Sequence, residues 1–293
     1  MPQKDPRSVA EGLSFWGGPV TAEPLGGGLT NANFLVRHRG ERFVVRVGDD
    51  IPVHHITRRN ELAASRAAAA AGLSPEVVHH EPGALVLRLI EGRTLKPDDI
   101  RRKPMLERIL PLLRSCHREV ERHLRGPLQM FWVFHVLRDY AANLREGRSR
   151  FLPELTRLLA AAAELQAAAA PIDVAFCHND LLAANFIDTG ERLWLIDWDY
   201  AGFNSPLFDL ANLCSNSEVA PADESWMLEA YFERPLSADL ARRYHAMKCA
   251  SLLREAMWGM VSELHSTLEV DYVSYARDYL ARFERDFDEF RKP

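Results

Sequence analysis

Up to about residue 90 the apolar positions fall in short runs bounded by glycine, proline or charge; beyond it they recur every three to four residues. The first pattern predicts β-strands in "EPLGGGLTNANFLVRH", "ERFVVRVG", "PEVVHHE" and "ALVLRLI". One helix interrupts them, through "RRNELAASRAAAAAGLSP", where the alanines favour helix, Gly72 suits the C-terminal cap and Pro75 forbids continuation. The second pattern predicts helices with one buried face each. Leu113, Cys116, Val120 and Leu124 form one stripe, Phe134, Leu137, Ala141 and Leu144 another, and Ala276, Leu280, Phe283, Phe287 and Phe290 a third. Pro111 lies in the first of these regions and is expected to kink the helix or mark its true start. "AAAAELQAAAAP" reads as an alanine-rich helix stopped by Pro171, and "RDFDEFRKP" as a terminal helix docking its apolar stripe rather than a membrane anchor. The chain is therefore expected to be α+β, with a β-rich N-terminal lobe over residues 1–90 and a larger, mainly helical C-terminal lobe over residues 91–293.

Within "RFVVRV" the alternation puts Phe43, Val45 and Val47 on one face and Val44 with Arg46 on the other. A single charge inside a strand needs a partner, and Glu61 on the alanine-rich helix is the natural one.

Composition narrows the classes of function. With 47% hydrophobic residues among 293 the chain can bury a sizeable core in one large domain or two lobes. A net charge of -5 and a pI near 6.1 give no electrostatic reason to expect nucleic acid or an anionic membrane as partner, which leaves a small molecule. Cys116, Cys177, Cys214 and Cys249 are scattered without a C-x-x-C pair, so reduced thiols in a cytoplasm are expected. Neither a signal peptide nor an apolar run approaching the ~20 residues of a membrane span is visible, so a soluble cytoplasmic protein is expected. His54, His55, His79 and His80 form two neighbouring pairs without a third ligand at zinc-like spacing, and read as surface or loop residues.

The polar cluster in "FCHNDLLAANFI" carries the chemistry. His178, Asp180 and Asn185 reproduce the spacing H-x-D-x-x-x-x-N of a kinase catalytic loop, and "RLWLIDWDYAG" follows, an apolar strand ending at Asp197. Phosphoryl transfer requires a base for the acceptor hydroxyl, oxygen ligands for Mg²⁺ and a clamp for phosphates. Asp180 suits the first task. Asn185 and Asp197 suit the second, since a hard cation takes oxygen donors.

"HNDLLAANFI" followed by "LIDWDYAGFNSPLFDLANL" resembles the catalytic core of the choline/ethanolamine kinase family, within the aminoglycoside-phosphotransferase-like small-molecule kinases. The resemblance runs from about residue 25 to 262 and implies a bilobal protein-kinase-like fold that uses ATP and Mg²⁺. It implies that Gly27, Gly28, Thr30 and Asn31 belong to a glycine-rich hairpin over the nucleotide, that Arg46 with Glu61 holds phosphates, and that the connector backbone at Leu89, Ile90 and Glu91 binds adenine. His178 and Asp209 read as structural braces of the loop rather than as proton-transfer groups. Asp199, Tyr200, Glu255 and Trp258 are the candidates for the acceptor, a small cationic alcohol such as choline or ethanolamine; for Trp258 an ordinary core tryptophan is an equal reading. Three positions depart from the family: Asp199 stands for glutamate, Val261 for a second tryptophan and Asn216 for an acid. Phosphorylation of thiamine, an aminoglycoside or a similar alcohol is the enzymatic alternative, and a nucleotide-binding module without turnover the alternative of another class.

Overall fold

The computed structural model describes residues 5–26 and 31–292. Gly27, Gly28 and Thr30 of the expected hairpin lie outside the described residues. A short helix α1 (Pro6–Glu11) precedes an antiparallel sheet of β1 (Ala22–Leu25), β2 (Ala32–His38), β3 (Glu41–Val47), β4 (Val77–Glu81) and β5 (Ala84–Arg88), with helix α2 (Arg58–Ala70) inserted after β3. The strand order is β1-β2-β3-β5-β4, so β3 is central and Arg46 lies between Asn33 of β2 and Leu85 of β5. Phe34, Val36, Phe43, Val45 and Val86 bury one face of this sheet against Ala10 and Trp16. α2 starts at Thr57, whose hydroxyl accepts from Asn60 N, and the chain leaves it through Gly72 at φ 75, the left-handed region that glycine enters without strain.

Ala64, Ala67 and Ala68 of α2 turn away from the sheet and join the larger core of the helical part. After β6 (Arg93–Thr94) and α3 (Pro97–Ile100) come α4 (Lys103–Glu119), α5 (Val133–Glu146) and α6 (Leu155–Ala168). Next is a region of short strands, β7 (Ala175–Cys177), β8 (Phe186–Asp188), β9 (Leu193–Leu195) and β10 (Gly202–Asn204), in which β7 pairs with β10, and β8 lies between β6 and β9. Helices α7 (Pro206–Ser217), α8 (Pro221–Phe232), α9 (Ala238–His265) and α10 (Tyr272–Phe290) complete the chain. The α+β class expected from the sequence is the observed one.

Of the two expectations for Pro111, a start of α4 is not met, because Lys103–Glu119 runs through it. Pro111 and Glu107, whose carbonyl loses its helical partner, are both exposed, so water can satisfy that carbonyl while Leu106, Ile109, Leu110 and Leu113 pack the opposite face. His54 is not a surface residue. It is 6% exposed, in contact with Tyr140 and Ser262 through its two ring nitrogens. The four cysteines are buried and unbridged. No helix among the described residues is long and apolar enough to cross a membrane.

Candidate active site

A cavity of ≈ 540 Å³ lies between the sheet and the helical part. Val44, Arg46, Leu87, Leu89 and Ile90 line it from the sheet and connector; Asp180, Asn185, Asp197 and Asp199 line it from the loops, and Glu255 and Trp258 from α9. Most of the residues singled out in the sequence therefore converge, while Asn31 and Glu61 stand behind the wall, next to Asp199 and Arg46. Glu91 does not line the cavity, and its carboxylate pairs outside with Arg42. The N–H of Leu89 is spent on Arg42 O at 3.1 Å.

Asp180 follows the tight backbone of Asn179, which has φ 66. For a residue other than glycine that conformation is strained and needs holding. Asp209 on α7 does so: its buried carboxylate accepts from His178 N at 2.8 Å and Asn179 N at 2.7 Å. The Asn179 amide donates to Tyr200 O at 3.1 Å and Gly202 O at 3.2 Å, tying the loop to the segment after Asp197. His178 bonds only backbone within this arrangement, with Nε2 2.9 Å from Ile196 O and Nδ1 accepting from Asp180 N at 3.3 Å. A carbonyl only accepts, so Nε2 carries the proton.

The Asn185 amide donates from Nδ2 to Asp180 O at 2.8 Å, which leaves its oxygen as the group free to ligate. Asp197, at φ 69, lies two residues past β9. An amide oxygen and a carboxylate on one cavity wall form a donor set that fits Mg²⁺. Arg46 binds the carboxylates together: Nη2 reaches Asp197 Oδ1 at 2.7 Å and Asp199 Oδ1 at 2.8 Å. Its Nε lies 2.9 Å from Glu61 Oε1, off the N–H direction, so this is charge pairing rather than a hydrogen bond. Arg58, which the sequence reading passed over, adds a second cation, 2.7 Å from Glu61 Oε2 and 3.4 Å from Asp199 Oδ1. Asn31 donates to Asp199 Oδ2 at 2.9 Å.

Burial dominates the electrostatics. It pushes the Asp180 carboxyl up to about 7 against the pull of Arg254, with Glu255, Asp197 and Asp199 pushing further. Burial likewise raises Asp197 and Glu61, each opposed by Arg46. Burial alone would lower Arg46, yet Asp197, Asp199 and Glu61 hold it well above its usual value.

At the far end, Trp258 is 6% exposed and donates from its indole N–H to Tyr200 OH at 2.9 Å. The imidazole of His54 stacks on it at 5.3 Å, and Tyr272 and Tyr275 meet it edge-on. Glu255 pairs through Oε1 with Arg254 and accepts the Tyr275 hydroxyl at Oε2, 2.9 Å away. Arg254 and Tyr275 are cavity residues that sequence reasoning missed. The signal for Arg254 was present, as two adjacent charges in the apolar run "SLLREAMWGM".

The family model for choline/ethanolamine kinase matches residues 22–226. Protein LicA of Haemophilus influenzae is 30% identical over 211 residues, 70% of this chain, and the match spans 61% of the length of that relative. Mouse ethanolamine kinase 2 is 27% identical over 290 residues, covering 89% of this chain and 74% of its own. Among solved structures, a choline/ethanolamine kinase family protein from Mesorhizobium loti superposes with a TM-score of 0.76 at 30% identity, over 97% of each chain. Spectinomycin phosphotransferase shares the protein-kinase-like fold at lower identity (TM-score 0.58, 13%). The sheet bearing Arg46, the loop bearing Asp180 and Asn185, and the brace Asp209 all fall inside the matched span, and the chain belongs to the choline/ethanolamine kinase family.

Proposed function

We propose that the protein transfers the γ-phosphoryl group of ATP to the hydroxyl of a small alcohol, a cationic amino alcohol of the choline or ethanolamine type. The observation that carries this reading is the convergence of Asp180, Asn185, Asp197 and Arg46 on one cavity that runs from the interlobe connector to an aromatic wall. Asp180 orients the acceptor hydroxyl and takes its proton. The acceptor oxygen forms a bond to the γ-phosphorus as the bond from that phosphorus to the bridging oxygen breaks, and ADP leaves. Arg46 holds Asp197 and Asp199 in place and turns positive charge toward the phosphates. Asn185 and Asp197 are the residues to hold Mg²⁺, which when bound neutralises phosphate charge. Glu255, Tyr200 and Trp258 form the acceptor end. We place the division between the lobes near residue 90, at the connector that bears Leu89 and Ile90.

The test is Asp180→Asn, assayed for ATP binding and for acceptor-dependent ADP release. The substitution keeps size and removes the base, so turnover should fall by about 10²–10⁴ while ATP binding stays close to wild type. Near-full turnover with the best acceptor would remove Asp180 from the role.

A further inference from the structure

The acceptor end of the cavity already contains a cation. Arg254 is 1% exposed, and its guanidinium carbon lies 4.4 Å from the Tyr200 ring centroid and 5.7 Å from that of Phe131. Nη1 pairs with Glu255 and lies 3.5 Å from Asp180 Oδ1. Nε and Nη2 are buried with no hydrogen-bond partner among the described residues. Unpaired N–H groups on a buried charge are costly, so packing alone is a poor reason for an arginine at this position. Burial opposes the charge, but Glu255, Tyr200, Tyr140 and Asp180 hold it in place. Its field also reaches behind Trp258: His54, stacked on that indole, is pushed down to about 3 by burial first and by Arg254 next.

An alkylammonium group seeks an aromatic face and a nearby carboxylate. Here Arg254 covers Tyr200, and the two oxygens of Glu255 are engaged by Arg254 and Tyr275. Asp199 is engaged by Arg46, Arg58 and Asn31. Arg254 offsets the negative charge that Asp180 and Glu255 bring to this end, and without the arginine that charge would stand unopposed. We infer that Arg254 is a specificity-determining residue, a resident cation that limits the preference of the acceptor site for positively charged alcohols over neutral ones of the same shape. It turns the charged end of an acceptor toward the wall formed by Trp258 and Tyr275. The inference rests on the phosphotransferase reading and adds to it the charge selectivity of the acceptor.

The experiment compares kcat/KM for choline with that for its neutral carbon isostere, in which a tert-butyl group replaces trimethylammonium. Wild type, Arg254→Lys, Arg254→Gln and Arg254→Met are each measured with both alcohols. The ratio cancels any displacement of Asp180, which slows both acceptors alike. Arg254→Gln and Arg254→Met should raise the choline preference roughly tenfold or more, as expected for removing a like charge at close range in a site screened from water, and Arg254→Lys should leave it near wild type. If Arg254→Met does not fold, the contrast of glutamine with lysine reads the same quantity. A ratio equal in all four proteins, or lower in the uncharged variants, overturns the inference and leaves the kinase reading intact. Turnover by the wild type of neither alcohol, nor of ethanolamine, sinks both.

Discussion

Asp209→Asn is a near-isosteric change at a residue with no solvent exposure, and its cost can be worked from the bonds it breaks. The carboxylate accepts from His178 N, from Asn179 N, and contacts His117 Nε2 at 2.9 Å; the other nitrogen of His117 is 2.8 Å from Tyr231 OH. In the asparagine variant one oxygen becomes an NH₂ group. Whichever way the amide turns, a backbone N–H of the loop then faces a donor. Leaving that group unsatisfied costs about 1–3 kcal/mol, and replacing charge-assisted bonds by neutral ones costs about 1 kcal/mol more for each that survives. The sum is about 2–5 kcal/mol. Asn179 has φ 66, a conformation that costs about 1–2 kcal/mol and is held partly by these bonds, so the loop should relax and carry Asp180 with it. Urea unfolding followed by tryptophan fluorescence should show a lower midpoint at unchanged slope, and kcat should fall more than the KM for ATP rises. A loss of stability below about 1 kcal/mol with unchanged kcat would refute the reasoning.

Asp188 receives two bonds of 2.7 Å from Arg108, and these hold its carboxyl down at about 2. A depressed folded pKa contributes stability above the unfolded value of about 3.9 and loses it as pH falls toward the folded one. Asp188→Asn should therefore lower the urea midpoint at pH ~6, and the gap to wild type should close by pH ~2; a gap that persists there would show that the pair acts through packing instead. If the indole of Trp258 faces the acceptor, Trp258→Leu should raise the KM for choline by roughly twofold to thirtyfold while the KM for ATP changes little. Equal insensitivity of choline, ethanolamine and a neutral alcohol would take the indole out of the acceptor site.

Much of the chemistry was local and therefore legible. The spacing of His178, Asp180 and Asn185 is a property of one loop, and Arg46 was visible as a lone charge in an alternating strand. Strands read from short apolar runs and helices read from stripes correspond to one-sided burial, which leaves a period in the sequence. α9 left none. From Ala246 to Ser262 it is buried nearly all round, so its apolar residues form no stripe, and the helix that carries Arg254, Glu255 and Trp258 had to be inferred from resemblance. Whether Pro111 started a helix or lay inside one was open for a related reason: whether a broken helical bond matters depends on whether water reaches the orphaned carbonyl, which depends on the fold around it. The pairing of Glu255 with Arg254 and Tyr275, and of Asp199 with Arg46, Arg58 and Asn31, was equally out of reach. Residue type at a spacing determines what a group can do. Which charges neighbour it, and how far burial strengthens them, is decided only when segments distant in sequence are packed into one low-dielectric cleft.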